Sequence, residues 1–298
     1  MCGIVGLLIK NPALRGRLGA WATPMLIEMG ARGPESAGLA VFGDELSFGR
    51  RKFALQAATW DYDFGVFERA HTERFGSEAA FWARGNHALA SNTAEVAQVR
   101  AFLAESFPEL ALLSVGRRME IFKDVGHPSQ VAARYAFSEL AGTHLVAHTR
   151  MATESAVTPD RAHPFTAGED FCLVHNGTIS NPFMIRRKLE RQGIVFQTDN
   201  DSEAACRFLE WRMREGDELE PALRRGFEEL DGFYTFLIGT GEKLAVARDA
   251  FACKPAVVAE TSDYVAIASE FRALAHLPGI AGARLFEPMP REVHAWKV

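Results

Sequence analysis

Short apolar runs recur along the chain, and most are bounded by Gly, Pro or Asp. These runs, rich in Val, Ile, Leu or Phe, predict strands at Ile4–Ile9, Ala37–Phe42, His144–His148, Phe171–His175, Phe233–Ile238, Leu244–Arg248, Ala256–Ala259 and Tyr264–Ala268. Apolar residues at helical spacing predict helices at Trp21–Met29, Ala94–Ser106, Gln130–Leu140, Pro182–Gln192, Asp201–Arg214 and Pro221–Glu229. The strands follow one another rather than alternating strictly with helices, which favours an α+β fold with packed antiparallel sheets.

The segment from Asp44 to Thr143 has a different pattern. It is more charged and more helical than the rest of the chain, and it lacks strong pairs of strand-like runs. No internal repeat, low-complexity tract or flexible linker separates it from its surroundings. We therefore expect one domain over residues 1–298, with an insertion or subdomain at about 44–143.

Composition and charge narrow the classes of partner. The chain has 298 residues and a formal net charge of −5 at pH 7, whereas nucleic-acid binding needs a basic face. The longest apolar run, Ile4–Ile9, contains Gly6 and ends at Lys10, so it is too short to span a bilayer. The positively charged start of a signal peptide is absent. We expect a cytoplasmic protein without a nucleic-acid or membrane partner.

The four cysteines are Cys2, Cys172, Cys206 and Cys253. Because no two of them form a CxxC pair, a metal or redox motif is not indicated. The sequence favours reduced thiols, with Cys172 and Cys206 buried as small apolar residues.

Cys2 differs because it directly follows the initiator methionine. Methionine is usually removed before a small residue, and the mature chain would then begin with Cys2. The α-amine of such a residue, with a reference pKa of about 7.7–8.0, can act as a general base for the neighbouring thiol. Considered alone, an incidental cysteine remains the simpler interpretation.

The stretch HTRMATESA follows a predicted strand. Arg150 offers a fork of donors that matches a carboxylate, and Thr153 can add a hydroxyl. His144 and His148 raise the alternative of a zinc site. The Glu of an HExxH motif is absent, and residues four apart on a strand share a metal poorly. A structural role is therefore favoured for the two histidines.

The stretch HNGTISN also follows an apolar run. The side-chain amide of Asn176 and the backbone N–H of Gly177 are two donors of the kind that an oxyanion hole requires. A plain Asn-Gly hairpin turn is the alternative and the commoner meaning of this dipeptide. Asn181 followed by Pro182 predicts a helix start with Asn181 as its cap.

The stretch TDNDSE opens a predicted helix. Asp199 or Asp201 could hold a substrate ammonium, because a carboxylate pairs with a cation. Helix capping is the preferred interpretation for Ser202 and Glu203, since acidic residues in a first turn suit the helix dipole.

Taken together and in this order, the motifs form a specific pattern. The chain resembles the class II glutamine amidotransferases, whose glutaminase domain belongs to the N-terminal-nucleophile hydrolases. The matching motifs are CGIVG at the start, RGPESAGLAV, HTRMAT, HNGTISN, TDNDSE, LDGFYTFLIG, ARDAFACKPAVV and ASEFRAL. They span nearly the whole chain. The resemblance implies a four-layer αββα sandwich with two antiparallel sheets at its centre.

The resemblance also implies a role for each matching residue. Cys2 matches the residue that attacks the side-chain amide of glutamine to form a thioester. The other matches are Asn176 and Gly177 for the oxyanion hole, Arg150 with Thr153 for the α-carboxylate, Asp201 for the α-ammonium, Arg32 and Ser36 for a structural turn near the nucleophile, and Lys254 and Pro255 for a second structural turn.

Two features depart from the family pattern. Glu154 and Ser155 stand where the family often has His or Gly after HTRxAT. The segment at 44–143 also exceeds the minimal domain, and GRRMEIFKDVGHP within it is similar to stand-alone amidotransferase subunits related to glutamate synthase, including that of N-methylglutamate synthase.

The resemblance implies that the chain hydrolyses L-glutamine to glutamate and ammonia. Only a few tens of residues follow ASEFRAL, and no GxGxxG or P-loop pattern is found. We therefore expect a separate synthase subunit to accept the ammonia within a hetero-oligomer. We expect no metal or cofactor in this chain, and a flavin or iron–sulfur cluster in the partner is compatible with this. The alternatives are a self-contained amidohydrolase acting on γ-glutamyl compounds and a non-catalytic glutamine-sensing subunit.

Overall fold

The computed structural model describes residues 2–47, 49–151 and 158–298. Its strands are β1 (Gly3–Ile9), β2 (Ser36–Phe42), β3 (Arg51–Ala57), β4 (Ala80–Arg84), β5 (His87–Asn92), β6 (Leu110–Gly116), β7 (Met119–Val125), β8 (His144–Arg150), β9 (Phe165–Thr166), β10 (Phe171–Ile179), β11 (Gly232–Thr240), β12 (Lys243–Arg248), β13 (Val257–Glu260), β14 (Tyr264–Ala268), β15 (Arg284–Phe286) and β16 (Val293–Lys297). Its α-helices are α1 (Leu18–Glu28), α2 (Gly65–Phe75), α3 (Val96–Ser106), α4 (Pro128–Arg134), α5 (Pro182–Glu190), α6 (Asp201–Arg214) and α7 (Leu219–Glu229).

The predicted strands and helices are all present, with one helix divided. In place of a continuous helix over Gln130–Leu140, α4 is followed by a short 3₁₀ turn at Phe137–Glu139. Ala136, between them, has a left-handed backbone with φ of 48°. A left-handed residue cannot continue a right-handed helix, so the helix ends there.

Two antiparallel sheets lie at the centre of the fold. The strand order is β15-β13-β14-β1-β8-β2-β7 in the first sheet and β16-β12-β11-β10-β9 in the second. Helices α1 and α4 pack on the outer face of the first sheet, and α5, α6 and α7 pack on the outer face of the second. The prediction of an α+β, four-layer αββα sandwich is confirmed.

Strand β1 is central to the first sheet, and all seven of its residues are buried. Val5 and Leu7 face the helices, whereas Ile4 and Leu8 face the second sheet. A strand covered on both faces reads as a continuous apolar run, as this one does. A Cβ on Gly3 would lie only 2.7 Å from the Cβ of Met29, so the absence of a side chain lets β1 start close to the helix layer.

The segment at 44–143 contains more strand than the sequence predicted. Strands β4-β5-β3-β6 form a third sheet. Helices α2 and α3 pack on it around a separate apolar cluster that includes Phe53, Phe67, Val99 and Leu103. The prediction that this segment lacks strand pairs is therefore wrong. We call residues 51–116 the third-sheet segment, since β7 and α4 pack with the first sheet.

The strands of the third sheet were missed because polar residues alternate with apolar ones along them. In β3, Phe53 and Leu55 enter the apolar cluster. Lys52 and Gln56 face the opposite way and bind β7 through Glu120 Oε1 and the Lys123 carbonyl oxygen, at 2.7 and 3.0 Å. Half of β3 therefore reads as polar although the strand is almost wholly buried.

Two further properties concern the whole described chain. The four cysteines are free thiols, with Cys172 and Cys206 buried as predicted. In the described ranges, no helix is both long and apolar enough to cross a bilayer.

Candidate active site

Three neighbouring strands of the first sheet bring Cys2, Arg150 and Ser36 to the same edge. Gly3 is paired with Thr149 across the β1–β8 ladder, and Ser36 is paired with Arg150 across the β2–β8 ladder. Cys2 directly precedes Gly3 and is half-buried. The start of β1, the end of β8 and the start of β2 therefore meet at Cys2.

Arg32 holds the backbone of Cys2. Its Nε donates a hydrogen bond to the Cys2 carbonyl oxygen at 2.9 Å, and its Nη1 pairs with Glu270 Oε1 at 2.6 Å. The hydrogen bond from Arg32 is the main cause that lowers the pKa of Glu270. On the other side of Cys2, the Ile4 N–H donates to Ser269 Oγ at 3.0 Å. The start of the chain is thus bonded to Arg32 and, through Arg32 and Ile4, to the segment Ser269–Glu270 that follows β14.

Arg150 is buried at the end of β8, with 7% of its surface exposed. Its Nη1 donates to the Arg161 carbonyl oxygen at 3.4 Å, in the 3₁₀ turn at Pro159–Arg161. Gly33 packs directly against it, because a Cβ there would come within 2.6 Å of the Arg150 backbone. Position 33, in the turn that begins RGPESAG, therefore requires glycine because the Arg150 backbone of β8 lies against it.

Asn176 and Gly177 lie inside β10, where they pair with Thr235 and Tyr234 of β11. The hairpin-turn alternative for this dipeptide is therefore wrong, since the surrounding strand continues to Ile179. Gly177 has φ of 146°, and a Cβ there would lie 2.1 Å from the Phe233 carbonyl oxygen. Only glycine fits this position without displacing β11.

The side chain of Asn176 is an unusual buried donor. The residue is 2% exposed, and its Nδ2 has no hydrogen-bond partner among the described residues. Leaving such a donor unpaired costs about 1–3 kcal/mol. An amide donor that is buried and unpaired in this way is available for a substrate oxygen.

Asp201 is attached to the end of β10. It opens α6, and its Oδ2 accepts a hydrogen bond from the Ile179 N–H at 2.9 Å. Asp199, the alternative ammonium ligand, pairs instead with Arg161 at 2.8 Å, with its side chain 68% exposed. Of the two aspartates, Asp201 is the one bonded to the strand that carries Asn176 and Gly177.

Ser202 joins two buried histidines. Its Oγ lies 2.9 Å from both His163 Nε2 and His175 Nδ1, and 3.3 Å from Asp201 Oδ1. Capping was predicted for Ser202, but the cap of α6 is Asn200, whose Oδ1 accepts from the Ser202 N–H. The Ser202 contact was missed because its partners lie 27 and 39 residues away in the sequence.

The histidines also connect the two sheets. His148 of β8 contacts the His175 carbonyl oxygen of β10 through Nε2 at 3.1 Å. Burial lowers the pKa of His148 to about 3, and burial likewise lowers the pKa values of His163 and His175. At neutral pH these rings are uncharged. The contact places the strand end that carries Arg150 next to the strand that carries Asn176.

Of the remaining predicted residues, His144 and Lys254 have structural contacts, whereas the Ser36 hydroxyl is unpaired in the described part of the chain. His144 Nε2 contacts the Thr240 carbonyl oxygen at 2.9 Å, and its ring stacks on Phe42. In the described part of the chain, no group of metal-binding side chains is assembled. Ser36 Oγ is buried and has no hydrogen-bond partner there. The Lys254 carbonyl oxygen accepts a hydrogen bond from Thr235 Oγ1 at 2.8 Å, so the turn before Pro255 is bonded to β11.

The predictions for Asn181 and for Thr153 have different outcomes. Helix α5 starts at Pro182 with Asn181 at the N-cap position, as predicted, but the Asn181 side chain makes no capping hydrogen bond. It instead donates to the Glu229 carbonyl oxygen and accepts from the Asp231 N–H, which ties α5 to the start of β11. Thr153, with Glu154 and Ser155, lies outside the described residues, as does Met1.

Comparison with known proteins shows which family this chain resembles. A family model described as a glutamine amidotransferase domain matches residues 148–276. Glutamine amidotransferase-like protein GlxB of Rhizobium meliloti (strain 1021) is 47% identical over 297 residues, covering 99% of this chain and 98% of that protein. A putative glutamine amidotransferase of Methanothermobacter thermautotrophicus (strain Delta H) is 32% identical over 282 residues, covering 91% of this chain and 92% of that protein.

The fold is also shared with a solved structure. Glutamine phosphoribosylpyrophosphate amidotransferase from B. subtilis, complexed with ADP and GMP, superposes with a TM-score of 0.60 at 19% identity. The match covers 99% of this chain and 49% of that chain. At this identity the likeness concerns the fold.

Proposed function

Because this chain belongs to the class II glutamine amidotransferases, we propose that Cys2 hydrolyses the side-chain amide of L-glutamine and that the ammonia passes to a separate synthase subunit. The observation that carries the proposal is the position of Cys2. It precedes β1 at the sheet edge where Arg150 lies, and Arg32 holds its carbonyl oxygen.

The three polar groups of glutamine have complementary partners. Arg150 binds the α-carboxylate, because a guanidinium offers a planar fork of donors to that group. Asp201 binds the α-ammonium, and Thr153, assigned from the sequence motif alone, adds a hydroxyl for the carboxylate. The side-chain amide then extends toward Cys2. The contact between His148 and the His175 carbonyl oxygen, at 3.1 Å, supports this pairing of the two strand ends.

The chemistry uses Cys2 twice. After Met1 is removed, the α-amine of Cys2 takes the thiol proton, and Sγ attacks the amide carbon of glutamine. The amine returns the proton to the leaving nitrogen as the C–N bond breaks, which releases ammonia and leaves a thioester. Water, deprotonated by the same amine, then attacks the thioester carbonyl, releases glutamate and restores the thiol.

Two donors stabilise the oxyanion that forms in each step. We assign them to Asn176 Nδ2 and the Gly177 N–H. Support comes from the buried Asn176 Nδ2, which has no partner among the described residues and therefore need not break a protein hydrogen bond to reach the substrate. A fixed donor in a site with little water contributes strongly, and removing one such donor typically costs about 10²–10³ in kcat.

The separate synthase subunit is supported by the length of the relatives. The two amidotransferase relatives described above align over 98% and 92% of their own lengths. Almost the whole length of each relative is therefore accounted for by its alignment with this chain, which leaves little length for a fused synthase domain in those relatives. A flavin or iron–sulfur cluster, if the acceptor reaction needs one, would belong to the partner subunit. We expect the pair to form a hetero-oligomer similar to glutamate synthase or N-methylglutamate synthase.

The direct test is replacement of Cys2 by alanine, with release of glutamate from glutamine as the measurement. We expect activity to fall by at least about 10³-fold, since the nucleophile is lost. Cys253→Ala is the matched control, because Cys253 is the exposed free thiol and is expected to retain full activity. Full activity of Cys2→Ala would refute the assignment.

Two further measurements separate the alternatives. Mass analysis of the intact protein is expected to show loss of the initiator methionine, since a retained residue would block the amine base. Activity on glutamine is expected to exceed that on γ-glutamyl amides and peptides. The opposite preference would favour a self-contained γ-glutamyl amidohydrolase, and binding of glutamine without turnover would favour a sensing subunit.

A further inference from the structure

A cavity lies between the third-sheet segment and the second central sheet. Its volume is about 380 Å³, and its walls come from β3, β6, β7, β9 and the start of α6. Cavities of this size typically hold a small molecule. None of its lining residues belongs to the set Cys2, Arg150, Asn176, Gly177 and Asp201.

Lys123 is the buried charge of this cavity. It is 6% exposed, and its Nζ donates to the carbonyl oxygens of Ala162 and Asp160 at 3.0 and 3.4 Å. Among the described residues, no carboxylate forms an ion pair with it. An ammonium has three donors, so two carbonyl contacts leave one of them for another acceptor.

The buried carboxylate nearby already has partners. Glu203 accepts hydrogen bonds from the backbone N–H groups of Gln197 and Thr198 at 2.8 and 2.7 Å, and from Arg207 Nε at 2.7 Å. It is therefore neutralised by donors other than Lys123. Asp160 and Glu203 are near enough to act on Lys123 electrostatically, but neither forms an ion pair with it, so an anion in the cavity would supply the direct partner that a buried ammonium favours.

The rest of the cavity is suited to a molecule with an apolar part. The ring of Phe165 lies 5.3 Å from Lys123 Nζ, and Leu112 and Leu113 line the wall beside it. The exposed carboxylates of Asp160 and Glu109 lie at the rim. The charge is therefore positive inside and negative at the mouth.

We propose that this cavity binds a small carboxylate-bearing molecule, with its carboxylate on Lys123 and its carbon chain against Phe165, Leu112 and Leu113. An α-amino acid adds an ammonium that faces the acidic rim, whereas a simple carboxylic acid lacks this group. The shared chemistry is the carboxylate. Glutamate and glutarate are used as probes to distinguish an amino acid ligand from a simple carboxylic acid.

The cavity is connected to the glutamine site through one turn. Lys123 binds the carbonyl oxygens of residues 160 and 162, and Arg150 binds the carbonyl oxygen of Arg161 between them. Glu203 is also two residues after Asp201 in α6. A ligand that draws Lys123 away from this turn therefore changes the position of Arg150. This regulatory effect rests on the proposed function, whereas binding in the cavity does not.

Binding is tested on the Cys2→Ala protein, so that turnover plays no part. Thermal unfolding is measured with increasing glutarate, glutamate or sodium chloride. We expect the midpoint to rise with at least one carboxylate, as mass action requires for a ligand of the folded state. The rise is expected to disappear in Lys123→Met and to persist in Lys52→Met, a matched buried lysine that pairs with Glu120 outside the cavity.

A second variant guards against misfolding of Lys123→Met. Ala111 lines the cavity from an exposed position, so Ala111→Trp fills the space without changing Lys123. It is expected to abolish the ligand-dependent rise as well. The proposal is overturned if neither carboxylate shifts the midpoint at millimolar concentration, if chloride shifts it equally, or if both cavity variants keep the shift. Either outcome of the Cys2→Ala activity test, including full activity that would refute the proposed function, leaves this binding result unaffected.

Discussion

Buried polar side chains serve different purposes in the third-sheet segment and at the Cys2 edge, by which we mean Cys2 with Arg32, the end of β8 and the adjoining residues of β10. At the Cys2 edge, Arg32 binds the Cys2 backbone, while Asn176 Nδ2 is left without a partner among the described residues. In the third-sheet segment, Lys52 and Gln56 bind β7 directly. In the proposed function, Arg32 positions Cys2 and Asn176 donates to the substrate, whereas Lys52 and Gln56 attach one part of the protein to another. A buried polar side chain can therefore support either activity or the attachment of one part of the fold to another. Substitution distinguishes these two roles.

Glycine substitution is expected to give the largest difference. Gly177→Ala would place a Cβ 2.1 Å from the Phe233 carbonyl oxygen at φ of 146°. The displaced backbone is expected to lower kcat/KM for glutamine by about 10²-fold and the free energy of unfolding by roughly 3 kcal/mol. Steady-state kinetics and denaturant unfolding measure the two effects.

Gly76 supplies the matched control in the third-sheet segment. It also has a positive φ, of 94°, but a Cβ there would meet nothing within 4 Å. Gly76→Ala is expected to cost roughly 1–3 kcal/mol of stability from backbone strain alone, with activity unchanged. Wild-type activity in Gly177→Ala would remove the Gly177 N–H from the proposed oxyanion hole.

The ion pairs of Arg32 and Lys52 are similarly buried and give the next contrast. The side chains of Arg32 and Lys52 are 8% and 9% exposed, and each pairs with a glutamate. Arg32→Met frees the Cys2 carbonyl oxygen and is expected to lower kcat by about 10–10²-fold. Lys52→Met is expected to leave kcat unchanged and to lower the free energy of unfolding by roughly 1–3 kcal/mol. Equal kcat losses in both variants would mean that the two regions do not differ in function.

The contrast also explains what the sequence could predict. Strand β1 is apolar on both faces, so its run was recognisable, whereas β3 alternates Lys52 and Gln56 with Phe53 and Leu55 and was read as irregular. Polar residues that bind another protein surface look like solvent-exposed ones in a sequence. Only the distant contact to β7 distinguishes them.

The site shows the same limit. Motif order identified Cys2, Arg150 and Asp201 as candidates, because each carries a reactive or charged group in a family pattern. The contact from Arg32 to Glu270 spans 238 residues, and no local pattern reveals it. Asn176 was ambiguous since its dipeptide commonly turns, and only the pairing of β10 with β11 resolved the conformation.

Two serine–histidine contacts provide a smaller contrast. Ser202 Oγ lies 2.9 Å from His163 and from His175, and Ser129 Oγ lies 2.7 Å from His127 at the start of α4. Ser202→Ala is expected to lower the free energy of unfolding by about 1–3 kcal/mol, because two buried ring nitrogens lose a partner. A rise in KM for glutamine of roughly 3–10-fold is also expected, since about 1 kcal/mol of Asp201 positioning is lost.

Ser129→Ala is the control for that measurement. His127 and Ser129 are not part of the β10–α6 network, so neither KM nor kcat is expected to change. Rescue of KM by Ser202→Thr, which keeps the hydroxyl, would distinguish hydrogen bonding from packing. If KM in Ser202→Ala matched the wild type, Ser202 would not position Asp201.

The smallest expected effect is a change in acid sensitivity, for which His87 of the third-sheet segment is compared with His144 at the start of β8, the end of that strand opposite Arg150. Burial lowers the pKa values of His87, in the third-sheet segment, and His144, between the central sheets, to about 3 in each case. The Nδ1 of His87 contacts Asn86 Oδ1, and its Nε2 accepts from the Lys123 N–H, so the ring has no place for a second proton. The nearby charges of Asp124 and Lys123 act in opposite directions on it.

Below the unfolded pKa of about 6.5, the unfolded chain binds a proton at each of these histidines and the folded chain does not. Stability contributed by the neutral rings is therefore complete above pH 6.5 and is lost as the pH falls toward 3. Each ring is expected to add a slope that approaches 1.4 kcal/mol per pH unit, by the rule that one pKa unit corresponds to about this energy. His87→Gln and His144→Gln are each expected to reduce the measured slope by that amount between pH 5.5 and pH 4. An unchanged slope in His87→Gln alone would show that the third-sheet segment opens to solvent before the central sheets unfold, which would make that segment separate in stability as well as in purpose.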